Sequence, residues 1–444
     1  MTAGSGIWRG LCAGAAVGLC LWAAGAVSGT VEPLPGMLPE PVNLYRGIAA
    51  GHLSPAVDGA LSRVYVPNVR SNEVYVIDPD KMAVVDRFRV GTMPQHIVPS
   101  WDLQTLWVND NGRRRGEGSL IPIDPKTAKP GPAIHVDDPY NLYFTPDGGS
   151  AIVVAERLKR LDFRDPHTLA VQQSVPTPDC AGINHADFAS DSSYAIFTCE
   201  FSRGGLIKLD LKSRQIIGHL NLSREVSVEN VPPPGAVPEQ GLSGGSTAPS
   251  RDSEPGRGAD ADSDLSPEDQ FNIDSSFCGT GWGMPQDIRI SPDGKLFYVA
   301  DMLADGVFLV DGDSFKQVGF IPTGIGTHGL YPSRDGTKLY VSNRGSHDNR
   351  RPKPHGPGSV SVLDFASNEV VADWPIPGGG SPDMGNLSAD GKTLWLSGRY
   401  DDVVYAIDTE NGAVATIPVG HEPHGLTVWP QPGLYSLGHT GNMR

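Results

Sequence analysis

The sequence predicts an all-β protein built from repeats of about 44 residues, and three observations support this prediction. The 444-residue chain contains 54 Gly and 39 Pro, an abundance typical of turns rather than of long helices. Short runs of alternating apolar residues recur along the chain, and each ends in a polar residue. Asp-Gly pairs, which favour tight reversals, separate several of these runs.

The recurring apolar run is the clearest repeat. It occurs at residues 64–68, 106–109, 152–156, 195–200, 297–301, 339–343 and 394–398. Successive runs end 41, 47, 44, 101, 42 and 55 residues apart. The period is therefore regular, apart from two insertions.

Three further elements fill each repeat in a fixed order. One is a strand that ends in Asp, such as Val74–Asp78; the next closes on Gly, as at Val414–Gly420; the last ends in a turn, as at Ile288–Gly294. Their alternation has the period of two that half-buried strands show. Each repeat is thus expected to form a four-stranded antiparallel sheet.

Such a sheet cannot bury both faces alone, so repeats of this length are expected to stack radially as the blades of a β-propeller. Seven Asp-ending strands predict a seven-bladed β-propeller. An eight-bladed ring is the alternative, because Leu434–Leu437 resembles one more apolar run and Val42–Ile48 resembles a lone outer strand. Together these two segments would form an incomplete eighth blade.

The first residues are expected to direct export. Arg9 precedes an apolar run from Leu11 to Val27 that ends in small residues, which is the order of a secretory signal peptide and its cleavage site. We therefore divide the chain into a signal peptide at 1–26, a linker at 27–41 and a propeller at 42–444, and expect a secreted or extracytoplasmic protein without a membrane span in the mature chain. The mature chain keeps Cys180, Cys199 and Cys278, for which a disulfide between Cys180 and one of the others is the expected pairing.

Two insertions leave the repeat strands intact. Residues 225–276 are rich in Pro, Ser and Gly and have the composition of a long disordered loop. A shorter insertion at Gly345–Pro357 carries a basic patch. The net charge of −16 argues against nucleic acid as a partner. We expect a monomer that binds a small polar or anionic ligand, or another protein.

The repeats resemble the exported bacterial YVTN/YncE-like β-propellers. Leu339–Asn343 is close to the motif that names the YVTN repeat, and Val74–Asp78 and Ile417–Gly420 match two further elements of that repeat. The resemblance spans residues 42–438 apart from the long insertion. It implies the fold, but it leaves the function open between binding proteins, subunits of redox enzymes and other exported proteins.

The loops that begin the innermost strands supply the candidate site. Alignment of the seven repeats places one residue from each loop around the mouth of the central channel, and the end of the following strand adds a rim. The aligned residues are His96, Asn141, His185, Asp287, His328, Met384 and His424, and the rim residues are Glu156, Arg157, Glu200, Asp301, Asn343, Arg344 and Arg399.

Two interpretations of this ring remain open, beside a purely structural role in which its side chains tie neighbouring blades together. In the first, the mouth binds a ligand, and Arg157, Arg344 and Arg399 contact its negative charge. In the second, His96, His328, Met384 and His424 hold a metal ion, with copper favoured because imidazole and thioether suit it, and the ion supports redox or hydrolytic chemistry. Whether the protein is an enzyme is left open.

No sequence signature of a known catalytic machinery is present. Were the protein a hydrolase or lyase, His185 and Glu200 would be the candidates for the general base and its partner. The sequence therefore predicts a binding protein ahead of an enzyme.

Overall fold

In a computed structural model, the described residues are 43–202, 204–224, 283–347, 356–439 and 441–444. They form seven antiparallel sheets arranged as a seven-bladed β-propeller, as predicted. The predicted signal peptide and linker, the insertion at 225–276, most of the basic patch, and Cys278 lie outside this part of the chain. Within it, no helix combines the length and the hydrophobicity that a bilayer span requires.

Blade 1 joins the two ends of the described chain. Its strands are β1 (Arg63–Asn68), β2 (Glu73–Asp78), β3 (Ala83–Arg89) and β29 (Thr427–Trp429), and β29 is the innermost of the four. β29 pairs with β1, with Tyr65 opposite Thr427 and Val64 opposite Val428. The ring is closed by hydrogen bonds between segments far apart in the sequence.

Blade 2 differs from the four-stranded plan. It contains β4 (Pro94–Pro99), β5 (Leu106–Asp110) and β6 (Ser119–Asp124), and its outer strand is divided into β7 (Lys129–Pro130) and β8 (Ile134–His135). The interruption covers residues 131–133 and includes Pro132, which has no N–H to donate to β6.

The remaining blades each have four consecutive strands, with the first strand innermost. Their strands are β9 (Pro139–Phe144), β10 (Ala151–Ala155), β11 (Arg160–Arg164) and β12 (Val171–Pro176) in blade 3; β13 (Ile183–Phe188), β14 (Tyr194–Cys199), β15 (Gly205–Asp210) and β16 (Gln215–Asn221) in blade 4; β17 (Pro285–Ile290), β18 (Leu296–Asp301), β19 (Gly306–Asp311) and β20 (Lys316–Pro322) in blade 5; β21 (Thr327–Pro332), β22 (Lys338–Asn343), β23 (Ser359–Asp364) and β24 (Glu369–Pro375) in blade 6; and β25 (Pro382–Leu387), β26 (Thr393–Gly398), β27 (Val403–Asp408) and β28 (Val414–Pro418) in blade 7.

The apolar side chains of neighbouring blades pack against each other. One cluster joins blades 3 and 4 and includes Phe163, Phe188 and Phe197, all fully buried. The outer strands alternate between exposed and partly buried residues, as in β16, whereas the inner strands are buried along their length, as in β13.

The eight-bladed alternative is wrong. Residues Leu44–Ile48 form a short 3₁₀ helix, as do Pro55–Val57. In Leu434–Leu437 the structure shows no strand, only an isolated bridge from Ser436 to Met443. β29 completes blade 1 with hydrogen bonds to β1, so this closing sheet requires no strand from residues 434–437.

Candidate functional site

A β-bulge near the start of each innermost strand places two consecutive residues at the hub, the space enclosed by the seven inner strands. In β13, Ile183 pairs with Cys199 but Ala186 pairs with Phe197, so Asn184 and His185 together oppose one residue. The same offset occurs in β4, β9, β17, β21 and β25. Bulges of this kind change the direction in which side chains point.

Hydroxyl groups opposite the bulges bond the backbone that the ladder leaves without a partner. Thr198 Oγ1 accepts the N–H of His185 at 3.0 Å, and Ser342 Oγ accepts that of Gly329 at 2.8 Å. Ser397 Oγ donates to the carbonyl of Met384 at 2.9 Å. These bonds fix the bulges, and with them the residues that line the hub.

The bulges show that the aligned residues occupy two levels of the hub. His96, Asn141, His185, Asp287 and Met384 are the second residue of their bulge. His328 is the first residue of its bulge. His424 has the same place, because Asn68 pairs with Pro423 while Tyr65 pairs with Thr427.

Three imidazoles meet at the centre of the hub, and we call His96, His185 and His439 the imidazole cluster. The rings of His185 and His439 lie 4.4 Å apart, centroid to centroid, and that of His96 lies 5.4 Å and 5.1 Å from them. One nitrogen of each ring lies within 4.8 Å of the others. All three side chains are fully buried.

The Nδ1 atoms of His185 and His439 both face the side-chain amide of Asn141. Asn141 Nδ2 lies 3.1 Å from Nδ1 of His185 and 3.1 Å from Nδ1 of His439. Asn141 Oδ1 accepts the N–H of Leu142 at 2.9 Å, which orients the amide. Asn141 Nδ2 also lies 3.3 Å from the Tyr143 hydroxyl, so its two hydrogens are shared among three acceptors. Because an amide nitrogen carries no lone pair to accept a hydrogen, both Nδ1 atoms direct their lone pairs toward it.

His96 has no hydrogen-bond partner at either ring nitrogen, although it is fully buried. Its ring packs against the segment just before β29, where Gly425 leaves room for it: a Cβ atom there would collide with the imidazole. This close approach brings the ring of His424 to 4.8 Å from that of His96, centroid to centroid. A buried polar group without a partner is costly, so it points to a ligand or an ordered water.

A second group surrounds Asp383, and we call it the Asp383 group. Arg344 Nε and Nη2 lie 3.0 Å and 2.9 Å from Asp383 Oδ1, and His328 Nδ1 lies 2.9 Å from the same oxygen. Arg344 Nη2 also donates to His328 Nε2 at 2.6 Å. On the other side, His424 Nε2 lies 3.5 Å from Asp383 Oδ2.

Burial and charge set the protonation states of the hub. Burial lowers the pKa of His96 to about 3 and that of His328 to about 4. It also holds the pKa values of His185, His424 and His439 well below their usual range. Burial alone would raise the pKa of Asp383, but Arg344, His328 and His424 outweigh it and hold that pKa well below its usual range. At neutral pH the hub thus presents neutral imidazoles beside the carboxylate of Asp383.

The rim arginines have acidic partners. Arg157 Nε lies 2.6 Å from Asp138, and Arg399 Nη2 lies 3.4 Å from Glu422. Arg344 is paired with Asp383 at 2.9 Å. Arg344 and Arg399 therefore lie at the hub, but their positive charges are already compensated by these carboxylates. Arg157 instead connects blade 3 to Asn111 of blade 2.

The other predicted rim residues have structural contacts. Glu200 accepts from Asn184 at 3.0 Å and from Gln286 at 3.1 Å, which ties blade 4 to blade 5. Asp301 accepts three backbone N–H groups, and Asn343 donates to Ser359 and Ser361. Glu156 is buried.

Two predicted hub residues also face other partners. Asp287 lies 2.7 Å from Arg289 and 3.5 Å from His439 Nε2. The sulfur of Met384 lies 3.4 Å from the Tyr331 hydroxyl, whose one hydrogen also faces the carbonyl of Asp383 at 3.2 Å.

Cys180 and Cys199 form a disulfide, with their Cα atoms 4.9 Å apart. It joins the loop before β13 to the end of β14, next to Glu200. Both cysteines are buried in the cluster between blades 3 and 4. The disulfide thus lies directly behind the strand that carries His185.

The sequence alignment missed two hub residues. Asp383 lies one position before the aligned Met384. A proline precedes most of these bulges, and aligning the repeats on it would have matched Asp383 with His424, since Pro382-Asp383 corresponds to Pro423-His424. His439 comes from the C-terminal segment Leu434–Arg444, which enters the hub beside β9: His439 N donates to the carbonyl of Leu142 at 3.0 Å. This segment has no counterpart in the repeat, so no pattern identified it.

Comparison with known proteins supports the fold. Residues 273–432 match the family model of the YNCE-like beta-propeller, which confirms the resemblance to the YVTN/YncE-like propellers. No curated protein matches the chain.

Solved structures of diverse propellers are similar. Hydrazine synthase from Kuenenia stuttgartiensis is 16% identical with a TM-score of 0.50, covering 76% of this chain and 90% of that one. A putative 6-phosphogluconolactonase from Bacteroides uniformis is 16% identical with a TM-score of 0.54, covering 82% and 98%. The dihydro-heme d1 dehydrogenase NirN, in complex with DHE, is 13% identical with a TM-score of 0.51, covering 83% and 75%. At these identities the likeness shows the fold alone.

Proposed function

We propose that this YNCE-like β-propeller is an exported binding protein whose hub holds a transition-metal ion through His96, His185 and His439. The observation that carries the proposal is the geometry of the imidazole cluster. The Nδ1 lone pairs of His185 and His439 point to one place, and His96 beside them has no hydrogen-bond partner. A metal ion is a ligand that several imidazole lone pairs can share.

The chemistry of the cluster favours a cation over an anion. Because burial keeps the imidazoles neutral, they offer lone pairs but no positive charge. Arg157, Arg344 and Arg399, the predicted anion contacts, are each paired with a carboxylate. The charge of these arginines is thus already compensated, which leaves an anionic ligand less to gain at the hub than a cation.

The surroundings of the cluster resemble those of known metal ligands. His439 Nε2 lies 3.5 Å from Asp287 Oδ1, so a carboxylate stands behind the nitrogen opposite the Nδ1 lone pair. Metal-binding histidines commonly have such a partner, which orients the ring. Asn141 would have to release both Nδ1 atoms to the ion, and rotation of its amide would then add an oxygen ligand.

The spacing requires only a small adjustment. An ion equidistant from three nitrogens that lie up to 4.8 Å apart would be roughly 2.8 Å from each, and side-chain shifts of under about 1 Å would bring the nitrogens to metal-bonding distance. Three nitrogen ligands suit Zn²⁺ and Cu²⁺. The copper site that the sequence predicts with Met384 receives less support, because the sulfur faces the Tyr331 hydroxyl at 3.4 Å.

Direct titration tests the proposal. The protein, stripped with a chelator and dialysed, is titrated with ZnCl₂ or CuSO₄ in a calorimeter, and its metal content is then measured by elemental analysis. We expect a bound ion that His185→Gln and His96→Gln weaken at least tenfold, whereas the exposed control His135→Gln has no effect. Equal metal binding by parent and both hub variants, or none by the parent, would refute the proposal.

Export is part of the proposal, and two features support it. The apolar run from Leu11 to Val27 has the order of a signal peptide. The Cys180–Cys199 disulfide is of a kind that persists mainly in oxidising compartments. Fractionation of the producing cells, with mass spectrometry of the mature N-terminus, should find the protein outside the cytoplasm and cleaved near residue 26. Uncleaved protein in the cytoplasm would contradict this part.

A further inference from the structure

We infer that the hub has a second cation position, between His424 Nε2 and Asp383 Oδ2, which would make it a two-ion centre. This inference rests on the proposed function for its two-ion character, but its own ligands are different residues. His424 lies just before β29 and Asp383 lies in β25, the neighbouring inner strand, and both side chains are fully buried.

The two oxygens of Asp383 have different surroundings. Oδ1 lies within 3.0 Å of Arg344 Nε, Arg344 Nη2 and His328 Nδ1. Oδ2 has no hydrogen-bond partner. Arg399 Nη1 is 3.8 Å away from it, too far for a hydrogen bond. Thus Oδ1 of this buried carboxylate is surrounded by three nitrogen atoms, while Oδ2 points toward His424.

The contacts of His424 fix which nitrogen faces Asp383 with a lone pair. His424 Nδ1 lies 3.0 Å from Gln95 Oε1, which can only accept, so Nδ1 carries the hydrogen. In the neutral ring, Nε2 then carries the lone pair. Nε2 is buried and has no hydrogen-bond partner, and it lies 3.5 Å from Asp383 Oδ2.

Two acceptors therefore face each other across 3.5 Å with no donor between them. If His424 carried a second proton on Nε2, a charge-assisted hydrogen bond to Asp383 would be expected at about 2.7–2.9 Å, shorter than the observed distance. A cation bound to both atoms removes the repulsion. Gln95, behind Nδ1, would then orient the ring as partners of metal-binding histidines do.

The ligand chemistry suggests a borderline divalent ion. One imidazole nitrogen and one carboxylate oxygen suit Zn²⁺, Cu²⁺ or Mn²⁺. His328 lies close enough to join, since one atom from each of His328, Asp383 and His424 falls within 4.8 Å of the others. For that, Arg344 would have to give up its bond to His328 Nε2.

The two positions would be neighbours. His424 belongs to the second position and His96 to the first, and their ring centroids lie 4.8 Å apart. Two Cu²⁺ ions held so close are expected to interact magnetically. This coupling provides a readout that one ion, or an ion elsewhere on the surface, would not give.

The test counts ions. The chelator-stripped full-length protein is loaded with CuSO₄, desalted, and examined by elemental analysis and electron paramagnetic resonance. We expect two ions per chain and a signal broadened by coupling between them. His424→Gln should retain one ion with an uncoupled signal, and His421→Gln, a change at a nearby exposed residue, should retain two.

The outcomes separate this inference from the proposed function. If the parent binds one ion, and His424→Gln retains it while His185→Gln loses it, the second position is refuted and the proposed function stands. If the parent binds two ions and His424→Gln also binds two, the gap between His424 and Asp383 holds water and the inference is refuted. If the parent binds no ion, both fail. Asp383→Asn serves as a second variant, with thermal melting to confirm that it folds, and should also retain one ion.

Discussion

Asn141 donates a hydrogen bond to His439 at 3.1 Å, although the two residues are 298 positions apart. The same amide nitrogen lies equally close to His185. One side chain of β9 thus connects an inner strand of blade 4 with the C-terminal segment. This contact makes Asn141 the natural place to test what the imidazole cluster binds.

Asn141→Asp should tighten metal binding. The amide hydrogens occupy the two lone pairs that a metal ion would use, and a carboxylate would instead offer the ion an oxygen ligand. We expect the dissociation constant for Zn²⁺ to fall about tenfold or more, measured by calorimetry. Without metal, a carboxylate facing two lone pairs should lower the melting temperature, and Zn²⁺ should restore it. If Zn²⁺ stabilises this variant no more than the parent, the ion does not bind at Asn141.

Metal binding should protect the C-terminal segment Leu434–Arg444. His439 anchors this segment to the hub, so an ion bound to His439 adds free energy that must be lost before the segment can leave. Hydrogen exchange of the peptide that covers this segment should slow at least about tenfold when Zn²⁺ is added. His439→Gln serves as the matched variant. The bond between Arg444 and Asp187, 2.9 Å in the parent, does not involve His439 and should keep the segment in place. The prediction fails if zinc slows exchange equally in both proteins.

The disulfide between Cys180 and Cys199 should contribute measurably to stability. It closes a loop with a sequence separation of 19 residues, for which the expected contribution is about 2–4 kcal/mol. Paired substitution of both cysteines by serine should lower the free energy of unfolding by this amount, as measured by urea titration. Dithiothreitol should destabilise the parent similarly but leave the variant unchanged. A parent insensitive to the reductant would show that the bond contributes little.

Asp110 should make the protein less stable as the pH rises. Burial raises the pKa of Asp110 to about 7, although Ser119 and Gly91 donate to it. Because the folded pKa lies above the unfolded value, the contribution of this group is fully present below about pH 4 and is lost as the pH rises to 7.

Asp110→Asn isolates this effect. The variant should gain stability relative to the parent between pH 4 and pH 8, by about 2–4 kcal/mol in total if the shift is fully expressed. Urea titrations of both proteins across this range measure the difference. Parallel pH profiles for the parent and the variant would show that Asp110 keeps an ordinary pKa in the folded protein.

The sequence predicted the blades well because each strand carries its own pattern. The seven apolar runs correspond to strands β1, β5, β10, β14, β18, β22 and β26 within a residue or two. Buried strands must be apolar and the turns between them need Gly, Asn or Asp, so both features are visible locally. Among the described strands, only the divided outer strand of blade 2 departs from the four-stranded plan.

The hub was harder to predict because it depends on single-residue offsets and on a segment outside the repeat. A bulge moves a side chain without changing the spacing of the strands, so His328 and His424 were aligned one level away from their true place. Asp383 was missed for the same reason. His439 reaches the hub only through tertiary contacts with Leu142 and Asn141, which no local pattern encodes.

The pairing of β29 with β1 sets the time at which the molecule can fold. Tyr65 pairs with Thr427, so the propeller cannot close until residue 427 has been synthesised. Until then, the edge of β1 that pairs with β29 lacks its hydrogen-bond partners. Contacts over such sequence distances also make folding slow. That delay suits a polypeptide that is threaded through a membrane before it folds, which is the route proposed for this one.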